Sequence, residues 1–172
     1  MLEKFRAKAR ARRVERRAHA DYTGGVYGSL LAASVVVGAS TLGAFPRLQL
    51  ALLLLATGVV FWLAHVHAQL FGARMAQRSL NRGTLLHVCR EEWPLVEAAV
   101  PSTVAVLVSP LLGLNVQGAA WLALAVALMS QTGWATAAAR RAGASWRQVV
   151  FTDAVNLVIG LLIVALKFAL KH

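Results

Sequence analysis

The chain has a single cysteine, Cys89, so no disulfide can form within it. Acidic residues are scarce as well: seven Asp and Glu stand against 18 Lys and Arg, for a net charge of +11. There is no glycine-rich phosphate loop and no HExxH or CxxC pattern, and no serine has a histidine at a telling spacing. The spaced histidine boxes of membrane di-iron enzymes are also missing. His65 and His67 are two residues apart, and on a helix such side chains diverge, which makes them a poor metal pair. These absences remove the common nucleotide, zinc and thiol chemistries. The expectation is a protein that is not an enzyme and has no cofactor and no metal site.

What the chain has is apolar length. Hydrophobic residues make up 58% of 172, and they fall in runs that charges do not interrupt. Leu48–Phe71 holds no Lys, Arg, Asp or Glu, and at about 1.5 Å per residue it is long enough to cross a hydrocarbon core of roughly 30 Å. The 42 residues from Ala98 to Ala139 are uncharged too, which exceeds one crossing and requires a reversal; Gly113, Asn115 and Gly118 supply its turn residues. The reading is an all-α, polytopic integral membrane protein with spans near 22–45, 48–71, 94–114, 117–138 and 148–170. Residues 1–20 form a basic segment before a transmembrane domain at 21–172. The first span reads as an uncleaved anchor rather than a secretory signal. Thr84 to Trp93 is expected to form a short interfacial helix, and Pro94 to open the next one.

The basic residues sit in blocks between these runs. With the N-terminus inside, eight, four and three Lys or Arg lie on the inner side, against Arg47, Lys167 and Lys171 outside. The inner-side excess of basic residues predicts N-in and C-out. Trp93 and Trp146 at the inner boundary and Trp121 near the outer one fit an aromatic belt. The same blocks explain the basic charge without nucleic acid as a partner. The expected partner is the lipid bilayer, with Arg12, Arg13, Arg16 and Arg17 meeting anionic headgroups; a purely topogenic role for that segment is the alternative. Arg outnumbers Lys and Ala is abundant, which suggests a bacterial cytoplasmic membrane.

Small residues recur at Gly24, Gly28 and Ala32, a spacing that lets helix backbones approach closely in lipid. A homo-oligomer packed partly through this face is expected. On the second span Gly58, Trp62, His65 and Gln69 share a face, as do Asp153, Asn156 and Gly160 on the fifth.

Given the orientation, the polar residues within spans collect in the cytoplasmic third. Asp21, His65, Glu97, Asp153 and Asn156 are the candidates for an ion or proton site, with Tyr22, His67, Gln69 and Gln131 as secondary ones. Ionisable groups within spans are costly to insert and default to function. Carboxylates beside a neutral imidazole can hold a proton or small cation, and carbonyls freed by Pro101 and Pro110 can line such a site. The alternative is structural: Glu97 and Asp153 lie in the first turns of their helices, where acids stabilise the N-terminus, and His65 can bond an adjacent helix. The expected function is a channel or carrier for protons or small cations. The rival is a non-transporting scaffold or accessory subunit that binds lipid or a partner protein through its basic segments.

Overall fold

A computed structural model describes residues 22–40, 46–75 and 81–169, apart from the side chain of Lys167. The described residues form helices joined by short turns, with no strand among them, and five helices are long and apolar enough to cross a membrane. Helix α1 is Tyr22–Ser40 and α2 is Arg47–Met75. Next come α3 (Arg82–Glu91), α4 (Pro94–Glu97) and α5 (Val100–Val108), which a 3₁₀ turn at Ser109–Leu112 extends. Helices α6 (Val116–Arg141) and α7 (Trp146–Ala169) complete the bundle.

Local chemistry sets these boundaries. The Asn81 side chain caps α3 by accepting from Thr84 N at 2.8 Å, and Asn115 caps α6 by accepting from Gly118 N at 2.7 Å. Gly113 takes the left-handed conformation, φ 68°, that ends the 3₁₀ turn and permits the reversal into α6. On the far side of this reversal Arg47 donates through Nη2 to Leu114 O.

The third span differs from the expected 94–114. It belongs to a helical run of 31 residues, Arg82–Leu112, that includes the short helix expected before it. Pro94 and Pro101 have no N–H to donate, and the run adjusts at Glu92–Trp93 and Ala98–Ala99 instead of ending. At the second adjustment Ala99 N donates to Val96 O at 3.1 Å, a tighter turn than the α-helix.

Helix α1 lies at the centre. Its Ala32, Ala33, Val36 and Val37 form one core with Leu50 and Leu54 of α2, Val106 of α5 and Ala123, Leu124 and Ala127 of α6. A Cβ on Gly24 would stand 3.3 Å from Pro94 Cβ, and one on Gly28 would stand 2.7 Å from Ala98 Cβ and 2.8 Å from Leu95 O. Gly58 faces Ala99 and Val96 from the other side. The small-residue face of α1 is therefore packed within the chain, against the third span and the core. Helix α7 is the most peripheral: only 11% of its most apolar stretch is buried, against 50% for α1.

Candidate functional site

Arg74 ends α2, Arg82 and Arg90 belong to α3, Arg140 and Arg141 end α6, and Arg147 opens α7, on the same end of the bundle as Tyr22 at the start of α1. Tyr22 is buried edge-on against Trp134, ring centroids 6.0 Å apart, and the Arg141 guanidinium sits 5.5 Å from its ring centre. This is the basic end of the bundle. The expected site residues among the described ones lie in the half of the bundle nearest it, but they do not form a single cluster.

His65 belongs to a pair between α1 and α2. It is half-buried, its Nδ1 lies 2.9 Å from Phe61 O one turn back, and its ring lies 5.6 Å from that of Tyr27. His67 is exposed and stacks on Phe71 at 6.5 Å. Trp62 donates from Nε1 to Cys89 O at 2.9 Å and meets Trp93 edge-on. Gln69 reaches Glu92 at 3.4 Å. This face of α2 thus docks the α3–α5 run as well as α1.

The second group is the seam between α6 and α7, where Asp153, Asn156 and Gly160 all face α6. Gly160 takes Leu128, whose Cδ2 lies 2.8 Å from where a Cβ would stand. Gln131 is 1% exposed and donates from Nε2 to Asn156 Oδ1 at 3.0 Å and to Asn156 O at 3.2 Å. The orientation of both amides follows from their partners. Asn156 Nδ2 donates to Thr152 O at 3.0 Å, so Oδ1 must accept, and only the amide nitrogen of Gln131 can serve it. Gln131 Oε1 is then left buried with no hydrogen-bond partner among the described residues. Both residues lie ten positions from the basic end of their helices, about 15 Å and close to mid-membrane.

Asp153 lies one turn nearer the basic end. Thr136 Oγ1 is 3.0 Å from its Oδ1, 2.9 Å from its Oδ2 and 2.9 Å from Thr132 O. One hydroxyl proton cannot serve three acceptors at once. If Asp153 is ionised, Thr136 must turn its proton away from Thr132 O. If Asp153 is protonated, one carboxyl oxygen donates to Oγ1 while Oγ1 donates to Thr132 O, so two of the three short contacts have a proton. The arrangement therefore has two hydrogen-bond states that differ by one proton on Asp153.

The two groups lie on opposite sides of α1. Gly25 faces Trp134 of α6, while Tyr27, about 160° further round the helix, faces His65. Glu97 joins neither group. It is exposed at the head of an outward stripe that continues through Val100, Pro101, Val104 and Leu111. Leu95 O, at the break in the third span, lies against Gly28 and Gly58 and does not line a polar site. Asp21 and Arg12, Arg13, Arg16 and Arg17 lie outside the described residues. Thr136 and Tyr27 were not expected at either group. Thr136 was legible in principle, because Thr132 and Thr136 stand one turn apart on the flank of α6 next to Gln131. Comparison with known protein families, curated proteins and solved structures gives no match.

Proposed function

We propose that this protein is a small multi-pass transport protein for protons or small cations, inserted with the basic end in the cytoplasm, and that Asp153 is the group that holds the proton or cation. The observation that supports this reading is the single Thr136 hydroxyl shared between both oxygens of Asp153 and Thr132 O. A carboxylate within a span costs up to about 3 kcal/mol to insert, the value at the helix centre. One interhelical hydrogen bond returns about 0.6 kcal/mol, so fastening α7 to α6 is a poor reason to keep an acid there. A proton delivered from the basic end reaches Asp153 first, and Asn156 with the unpartnered Gln131 Oε1 lies one turn deeper. Beyond that the seam is closed by Leu128 against Gly160 and by Trp121 against Phe168, ring centroids 5.5 Å apart. A complete crossing therefore requires α7 to shift on α6, as in a carrier, rather than a standing pore.

The closed outer half is also the observation that favours the second reading, a non-transporting scaffold working through its basic end. Purified protein in liposomes with a pH-sensitive dye separates the two. In the transport reading Asp153→Asn, which keeps a donor and an acceptor but cannot titrate, abolishes proton flux, and Thr136→Val slows it. A wild-type flux no greater than that of empty liposomes excludes the transport reading.

A further inference from the structure

Beside this seam runs an open groove of about 650 Å³. Leu128, Thr132, Gly133 and Thr136 of α6 and Leu157 of α7 line it, and Arg140 stands at its mouth. From the chemistry of this lining we propose that the groove is a binding site for one anionic glycerophospholipid, with the phosphate on Arg140 and an acyl chain along the groove.

Three observations select that occupant. First, length: Leu128 to Arg140 is twelve residues, about 18 Å, close to the roughly 15 Å of one leaflet's hydrocarbon. Second, polarity runs in one direction, with a guanidinium at the helix end and an apolar floor inward. Arg141 is turned onto Tyr22, which leaves Arg140, itself exposed, at the mouth. A guanidinium suits a phosphodiester because its planar N–H fork matches two phosphate oxygens. Third, Gly133 opens the floor: no heavy atom lies within 4 Å of where its Cβ would stand. A side chain there would fill the groove without meeting the protein. Asp153 is held behind Thr136 and is not part of the lining, so it does not oppose the phosphate. The proposal does not depend on transport.

The test is thermal unfolding of the full-length protein in nonionic detergent, with phosphatidylglycerol or phosphatidylcholine of the same chains added. Wild type is stabilised more by phosphatidylglycerol. Arg140→Gln loses that preference, with about fivefold weaker apparent affinity, equivalent to about 1 kcal/mol. Gly133→Leu, which plugs the groove, loses the response to both lipids. If both variants respond as wild type does, the lipid acts at other basic segments and the proposal is wrong; the same holds if the wild type does not discriminate the lipids. Native mass spectrometry of wild type and Arg140→Gln gives a second reading that needs no Gly133 variant: fewer retained phosphatidylglycerol molecules on Arg140→Gln supports the site, and equal retention overturns it.

Discussion

Gly28→Ala tests the centre of the fold. The added Cβ would stand 2.7 Å from Ala98 Cβ, 2.8 Å from Leu95 O and 3.2 Å from Leu95 Cα. None of these is the far end of a flexible side chain, so relief requires α1 and the third span to separate. The ordinary contact distance is about 3.5–4.0 Å, so the shortfall is roughly 1 Å, and a gap of that size forfeits about a quarter to a half of each neighbouring contact. Overpacking of this kind costs about 1–3 kcal/mol. Alanine's better helix propensity offsets about 1 kcal/mol, which leaves a net loss of up to about 2 kcal/mol. For a protein of this size that lowers the unfolding midpoint by up to about 8 °C. The assay is thermal unfolding in detergent followed by tryptophan fluorescence. The control is Gly38→Ala on the same helix, where a Cβ meets nothing within 4 Å, and its midpoint should hold or rise slightly. If Gly28→Ala proves as stable as Gly38→Ala, the close approach of α1 to Leu95–Ala98 is not what holds these spans together.

Two further substitutions probe other links. Gln131→Leu removes the orphaned Oε1 but orphans Asn156 Oδ1 in its place and loses an interhelical hydrogen bond of about 0.6 kcal/mol, so its midpoint should fall by no more than about 1–2 °C; a clear rise in the same assay means that Asn156 Oδ1 finds another donor. Asn81→Ala removes the cap of α3 and should cost about 1 kcal/mol locally; hydrogen exchange should report faster amide exchange at Thr84 and Leu85 with the transmembrane helices unchanged.

The crossings and the reversal at Gly113 were legible because charge and turn chemistry mark them directly. The continuous run from Arg82 to Leu112 was not, since Pro94 and Pro101 read as interruptions and the chain bends its hydrogen bonds around them. Nor was the identity of the central helix. In water, apolar content reports burial, but lipid solvates Leu and Val as well as a protein interior does. The highly apolar α7 is accordingly the least buried, and the glycine- and alanine-rich α1 is among the most. For the candidate site, residue number gave depth along each helix, and depth placed His65, Asp153 and Asn156 in the half nearest the basic end. Sequence gave no azimuth between helices. His65 therefore turned to Tyr27 while Asp153 turned to Thr136, and one expected cluster became two groups separated by α1.

That separation bears on which group carries function. His65 bonds within its own helix and touches rings, contacts that many uncharged side chains would replace at small cost. The seam is different. Helix α7 has little buried surface and packs on α6, so its position depends on a few contacts, of which the Asp153–Thr136 pair can be made with either group as the donor. When Thr136 bonds Thr132 O, a protonated Asp153 can dock on it without conflict. When Asp153 is ionised it must draw the hydroxyl away, and the flank of α6 loses a bond to its own backbone. The bond between α6 and α7 is made in both cases, donated by the carboxyl in one and by Thr136 in the other, so it is the small buried surface of α7, compared with that of α1, that leaves α7 the easier helix to shift. Asp153→Asn, whose amide donates to Thr136 Oγ1 while Thr136 keeps Thr132 O, should leave α7 in place, and a spin label at the exposed Val158 should report the same principal distance to α2 as in wild type; a changed distance means that the carboxyl itself positions α7.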